Sequence, residues 1–568
     1  MAAQSGTEPS WKQVSRTWCL HRDSTLSKVN PPLLDVAKES EKLRNVTGIP
    51  RQLLEPREVE LTEMTTEALL EQLSSGRLLS TEVVNAFLRR AALAQKLTNC
   101  VTELLPERAL KRAKFLDEYY AEHKQPIGPL HGLPISVKEM MSMKGLDVNA
   151  GWVAFVGTIA EDDSNILKIL WRAGAVFHAR TAEPQSLMHL ECSNNITGVT
   201  VNPFNRDLTS GGSSGGEGAL IGIRGSCLGI GTDIGGSIRG PAANNGLYGL
   251  RPSSYRLPVK GKSVLMFGNE QIIGVIGPLC TSLGGIKIFM KTILDAKPWL
   301  IEPSLIAMPW KDDVSYIMEG GRPKLKVAVL WSDEVVKPHP PIIRALKEVT
   351  EKLRNVEGVE VVDWKPYKHD SAWEIIASLY FGDGGKQLRD TAALSGEPFL
   401  PMTDFILTQN PCVKERTVTK VWELTKRREA YRLEYAQLWN KTATRETELG
   451  MPCEMVDVIL CPAGPGAAPP LETAKYWAYT AQWNLLDYPS IAFPVTKVKP
   501  EIDLKEEGYK PMNEQDEFNY QLYEPEKYRD APVSLQLVAR RYEDEKLVEA
   551  MEFIEKSIGL PFEKFTRS

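Results

Sequence analysis

Cysteine is scarce in this chain. There are eight in 568 residues (Cys19, Cys100, Cys192, Cys227, Cys280, Cys412, Cys453 and Cys461), and no two stand in a Cys-x-x-Cys spacing. That pattern gives no zinc ribbon and no thioredoxin-like site, and reduced thiols of an intracellular protein are expected. Histidine is scarcer still, at seven, with no His-Glu-x-x-His, so no metal site is expected. A basic excess is also missing: 68 Lys and Arg against 73 Asp and Glu leave a net charge of −5, which argues against nucleic acid as the main partner. No apolar run approaches the roughly 20 residues that span a bilayer, so no transmembrane segment is expected. The first thirty residues are polar and carry no secretory signal, and Phe565-Thr566-Arg567-Ser568 is not a peroxisomal address. A cytoplasmic location is the resulting expectation.

What the chain does have is enough apolar sequence, 42% of its residues, for a large core around a deep pocket. Residues 1–60 read as a polar N-terminal arm with helical pieces that wraps the body. Residues 61–568 read as one α/β domain with a helical insertion around 290–450. Ser80 is placed to cap a helix whose Val83, Val84, Phe87, Leu88 and Ala91 recur at helical spacing. Ile135-Ser136-Val137 reads as a short strand ending at Lys138. A helix from Ile166 to Leu170, stopped by Gly174, leads into a strand beginning Ala175-Val176-Phe177. Later strands are expected at 325–330, 359–362, 456–460, 490–495 and 532–538. A charged helix covers 414–444 as a solvated face, and a closing helix runs over 542–558. Alternating strands and helices predict a twisted, largely parallel mixed sheet covered by helices on both faces.

The stretch 210–249 stands apart, with 14 glycines in 40 residues. Its first cluster, Thr209 to Glu217, matches the nucleophile-elbow pattern G-x-S-x-G around both Ser213 and Ser214. That motif needs a strand before it and an Asp and a His after it. Asn205-Arg206-Asp207 makes a poor strand, and His339 and His369 stand in no telling context, so the α/β-hydrolase reading is set aside. In the second cluster, Gly231-Thr232-Asp233-Ile234-Gly235-Gly236-Ser237-Ile238-Arg239, consecutive glycines let backbone N–H groups converge on one point beside a serine hydroxyl. Acyl transfer needs that arrangement, a nucleophile next to donors for the developing oxyanion. A structural serine in a strand-to-helix turn is the competing reading of this motif alone.

The two glycine-serine clusters, with Leu133-Pro134-Ile135-Ser136-Val137-Lys138 upstream, resemble the amidase signature family. Leu130-His131-Gly132, Val201-Asn202-Pro203, Tyr248-Gly249-Leu250-Arg251-Pro252-Ser253 and Pro532-Val533-Ser534-Leu535-Gln536 are similar to its fungal acetamidase-like branch. The resemblance implies the amidase-signature fold and amide hydrolysis without an organic cofactor. It makes Ser237 the nucleophile, Ser213 a bridging serine preceded by a cis peptide, and Lys138 the base. The backbone N–H groups of Ile234, Gly235, Gly236 and Ser237 would form the oxyanion hole. Ser214, Asp233 and Arg239 would support the loop, with a surface Asp233–Arg239 ion pair as the competing reading. Leu187 and His189 would lie near the acyl pocket, helped by Trp152 and Phe155. The implied partner is a small-molecule amide, and a homodimer is allowed for.

One departure bears on substrate choice. Where the acetamidase-like pattern reads Arg-Val-Pro-Ala-Ala-Phe-Asn, this chain has Arg239-Gly240-Pro241-Ala242-Ala243-Asn244-Asn245. Losing a valine and an aromatic near Ser237 predicts a larger or more polar pocket and tolerance of larger or aromatic acyl groups. Cleavage of esters or lactams by the same site, an ammonia-supplying subunit of a transamidating complex, and a non-catalytic binding homologue are the alternatives.

Overall fold

Eleven strands hydrogen-bond into one sheet. The computed structural model describes residues 10–32, 42–263, 265, 268–312, 315–319 and 322–563. Parts of the expected N-terminal arm (1–9 and 33–41) and the C-terminal tetrapeptide lie outside the described residues. In chain order the sheet strands are β1 (Val101–Leu104), β2 (Pro134–Lys138), β3 (Val176–Thr181), β4 (Leu228–Asp233), β5 (Tyr248–Arg251) and β6 (Val275–Cys280). They are followed by β7 (Leu325–Val329), β8 (Val359–Asp363), β9 (Val458–Pro462), β10 (Ser490–Lys497) and β11 (Pro532–Val538). Their order across the sheet is β1-β3-β2-β4-β6-β5-β10-β11-β9-β7-β8.

The sheet is mixed, and less parallel than the strand–helix alternation predicts. Parallel pairs join β2 to β3 and β4, and β7 to β8 and β9. Every other neighbour is antiparallel. The reason lies in the connections. Helical crossovers separate β2, β3 and β4, whereas β5 returns to β6 through a segment with no helix among its described residues, which lets neighbours run in opposite directions. Along the strands, alternate residues feed two cores. Leu325, Val327 and Val329 of β7 and Val458 and Leu460 of β9 enter one, while Ala328, Ile459 and Cys461 enter the other.

Nine of the flanking helices matter below: α1 (Trp11–Ser27), α2 (Ser80–Thr98), α3 (Pro106–His123), α4 (Gly215–Gly222), α5 (Arg239–Asn244), α6 (His369–Tyr380), α7 (Val418–Asn440), α8 (Ala478–Leu486) and α9 (Asp544–Ile558). Helix α2 begins at Ser80, but the serine side chain does not cap it. Asp117 of α3 accepts the Ser80 and Thr81 N–H groups at 2.6 and 3.1 Å, so the cap comes from a neighbouring helix. In α7 a single line of Leu424, Tyr431, Tyr435 and Trp439 is buried, and most of its other side chains are solvated as expected. Helix α1 packs Trp18 against Val153 and Ile196, and its Ser15 hydroxyl donates to the Asn195 carbonyl at 2.7 Å.

The segment 205–207 differs from its reading as a poor strand. Asn205–Thr209 is a strand, paired with Val201–Asn202 in a hairpin outside the main sheet. The Asn202 side chain makes this possible by accepting the Phe204 N–H at 2.9 Å and donating to the Thr209 carbonyl at 3.2 Å.

Candidate active site

Lys138 is the last residue of β2, and its side chain is fully buried. Three hydroxyl groups surround its amine: Ser213 Oγ at 2.7 Å, Thr232 Oγ1 at 3.0 Å and Ser214 Oγ at 3.2 Å. Burial pushes the ammonium down to about 8, against the opposing pull of Glu183, Cys192, Asp233 and Glu217. Removing a lysine from water without a dedicated carboxylate partner favours the neutral amine, the form able to accept a proton.

Ser213 and Ser214 precede α4, and the Gly212–Ser213 peptide is cis. Glu217, one turn into α4, holds this helix to the strand that carries Lys138. Its carboxyl lies 2.5 Å from Ser136 Oγ of β2 and 2.8 Å from Thr181 Oγ1 of β3. Burial raises Glu217 to about 8, against the hydrogen bonds from Ser136 and Thr181 and the charge of Lys138. Gly216 lets the helix backbone sit directly on the end of β3, since a Cβ there would lie 2.4 Å from the Ala182 nitrogen.

Ser237 ends the turn that follows β4. The turn is knotted from within by Asp233, whose carboxylate accepts the Gly236 N–H at 2.9 Å, the Ile238 N–H at 3.1 Å and the Asn484 side chain at 2.8 Å. Arg239 meets the same carboxylate with two bonds of 3.1 Å and also reaches the Thr480 carbonyl, Asn484 and Gln536. Both partners are fully buried, so the pair is an internal knot and not a surface bridge. Burial raises the Asp233 pKa, but the guanidinium charge and the hydrogen bonds outweigh it and hold the carboxyl below its usual value. Two further hydroxyls grip the turn. Tyr380 of α6 donates to the Ile234 carbonyl and Thr480 of α8 to the Gly235 carbonyl, each at 2.7 Å. Gly236 has φ 130°, and a side chain there would run into Thr480. Since the Gly236 N–H is taken by Asp233, the N–H groups of Ile234, Gly235 and Ser237 are the turn's remaining donors.

The two halves meet at a cavity of about 500 Å³ lined by both Ser213 and Ser237, in the size range of small-molecule sites. The Ser214 N–H donates to the Ser237 carbonyl at 3.1 Å, tying the two turns together. Leu187 lines the cavity and, like Ser186, has a positive φ (59° and 72°). His189 does not line it. It is buried behind the Gly212 turn, where its own carbonyl blocks any side chain at Gly212. Trp152 and Phe155 also miss the cavity and pack in the second core. Gly240 and Asn244 open onto a different cavity of about 240 Å³, shared with Leu190, Lys475, Trp477 and Phe518. Their departure from the family pattern therefore acts there and not in the cavity that holds Ser237. Thr232 stands within the second cluster with nothing in its sequence context to mark it as a partner of Lys138. Tyr380, Thr480, Asn484 and Gln536 carry no local signal either, since only the fold brings them to the turn. Among the described residues, no group of three or more His, Cys, Asp or Glu side chains could hold a metal ion, and no helix is long and apolar enough to cross a membrane.

The sequence profile of the Amidase family matches residues 82–548. An amidase-type protein of Schizosaccharomyces pombe is 48% identical over 96% of this chain and 98% of its own length. The acetamidase of Emericella nidulans is 40% identical over 89% of this chain and 91% of its own. A solved fatty acid amide hydrolase superposes with a TM-score of 0.90 at 35% identity, covering 96% of this chain and 95% of that one.

Proposed function

This chain belongs to the amidase signature family and is an amide hydrolase, and from that premise we propose a serine acyl-enzyme mechanism run by Ser237, Ser213 and Lys138. The observation that carries the proposal is the buried 2.7 Å contact between Lys138 Nζ and Ser213 Oγ, beside a cavity that also exposes Ser237.

A neutral lysine has two N–H donors and one lone pair. Ser214 and Thr232 accept the two N–H bonds, and Thr232 directs its own hydroxyl toward Met140 Sδ at 3.6 Å. The lone pair is left for the Ser213 hydroxyl. As Ser237 Oγ attacks the amide carbonyl, its proton passes to Ser213 Oγ while the Ser213 proton passes to Lys138. The tetrahedral oxyanion receives the N–H groups of Ile234, Gly235 and Ser237, oriented by the grip on the Ile234 and Gly235 carbonyls. The lysine proton then returns through Ser213 to the departing nitrogen, the C–N bond breaks, and ammonia or an amine leaves a Ser237 ester. Water attacks that ester by the same proton route, releasing the carboxylate and restoring Ser237.

A cavity of about 500 Å³ is larger than a two-carbon acyl group needs, which supports preference for amides larger than acetamide. The test is a panel of aliphatic and aryl amides assayed with wild type and Ser237→Ala, with fluorophosphonate labelling of the serine. Loss of both turnover and labelling in a folded variant is expected. Retained turnover would refute the assignment of Ser237, and best turnover on acetamide would refute the size preference.

A further inference from the structure

The cavity that exposes Ser213 and Ser237 is lined by two lysines with no place in the reaction above, the exposed Lys260 and the half-buried Lys262. Lys262 comes from the segment that lies back over the end of β2. Lys262 bridges to Met141, and the Ser263 N–H donates to the Met140 carbonyl at 2.8 Å. The side chain is half-buried and lines the cavity with Leu187, Met188 and Leu257. One of its three N–H groups donates to the Gly274 carbonyl at 3.2 Å, and among the described residues it has no ion-pair partner.

The acids of the same cavity are committed elsewhere or stand at its edge. Asp233 is bound to Arg239. Glu302 accepts the Val259 and Lys260 N–H groups at 2.9 and 3.1 Å and the Asn165 side chain at 3.1 Å. Glu270 is exposed at the rim. Burial pushes the Lys262 ammonium down to about 8, against the pull of Glu302, which leaves it mainly charged at neutral pH. A half-buried cation that lines a largely apolar cavity and donates to one carbonyl lacks a charged partner to offset its lost hydration. A carboxylate supplies that partner through a charge-assisted hydrogen bond.

We propose that Lys262 is a specificity residue that binds a carboxylate carried by the amide substrate at a point remote from the scissile bond. The inference rests on the reading of this cavity as the amidase site. The carboxylate can sit on the acyl side, as in ω-amides of dicarboxylic acids, or on the amine side, as in N-acyl amino acids. The chemistry met by Lys262 is the same in both.

Two matched pairs separate these sources: succinamate against 4-hydroxybutyramide, and N-butyrylglycine against N-butyrylethanolamine. The measurement is kcat/KM for each member with wild type, Lys262→Met and Lys262→Arg. Wild type is expected to favour the carboxylate at least tenfold in one pair, mainly through KM, and the responding pair assigns the side. Lys262→Met should reduce that ratio below threefold, and Lys262→Arg should keep most of it. A purely structural lysine would leave the ratio unmoved. Turnover of the neutral amides with no preference in either pair, or a preference that survives Lys262→Met, overturns the proposal. If wild type cleaves neither member of either pair, the amidase reading fails and this inference with it. Calorimetric binding of the same pairs to Ser237→Ala needs no Lys262 variant, and equal affinities within both pairs would also overturn it.

Discussion

At the scale of single residues, the site is governed by what burial does to charge. Lys138 is shifted to about 8 because burial strips its ammonium of water while the groups that touch its amine are hydroxyls. The proposed mechanism needs the neutral amine, so kcat/KM should be low in acid and rise as pH climbs through about 8. Lys138→Arg keeps a permanent charge and should lower kcat by roughly 100-fold or more. A pH–rate profile on wild type and this variant checks both, and a rate flat between pH 6 and 9 would contradict the assignment of the base. Arg239 shows the opposite case, a buried charge whose partner is indispensable. Removing it with Arg239→Met strands the Asp233 carboxylate, at a cost of about 3–5 kcal/mol in denaturant unfolding and with loss of the Ser237 turn.

At the scale of elements, positioning depends on how α4 is seated on β2, β3 and β4. Glu217 reaches past the position of Gly229 on β4, where a Cβ would lie 1.9 Å from its carboxylate oxygen and 2.7 Å from Ser136 Oγ. Gly229→Ala should therefore cost roughly 1–3 kcal/mol by overpacking and lower kcat more than it raises KM, because it displaces Ser213 from Lys138. Unchanged kcat in a destabilised Gly229→Ala protein would show that this seating does not set the catalytic geometry.

Much at this scale is legible in the sequence, for reasons that can be named. β2, β3 and β11 are short, wholly buried, β-rich segments, and α9 stops at Gly559, whose φ of 72° suits a glycine. The closeness of Lys138, Ser213 and Ser237 is reachable from spacing and resemblance. Asp117 as the cap of α2, and the hydroxyls of Tyr380 and Thr480 on the turn that carries Ser237, are not, because each acts across a long stretch of chain with no local pattern. His189 and Trp152 follow the same lesson in reverse. They lie near the signature in sequence, yet the fold turns them away from the cavity.

At the scale of the whole molecule, the large core holds histidines in neutral form. Burial pushes His369 and His339 down to about 4, and His189 to about 3. A histidine whose folded pKa lies below its unfolded value binds its proton more tightly when the chain unfolds. Its contribution to stability is thus intact above about 6.5 and is lost as pH falls toward the folded value. The ring nitrogens of His369 have no hydrogen-bond partner among the described residues. His369→Phe should flatten the acid side of the stability curve by about 1.4 kcal/mol per pH unit between 6.5 and 4. Denaturant titrations at pH 7, 6 and 5 measure this, and identical slopes in both proteins would contradict it.

The knot around Asp233 and Arg239 also bears on how the enzyme comes into being. Its contacts are drawn from Thr480, Asn484 and Gln536, far downstream of the serine they brace. The turn that carries Ser237 therefore cannot take the braced form seen here until the chain has been synthesised through Gln536.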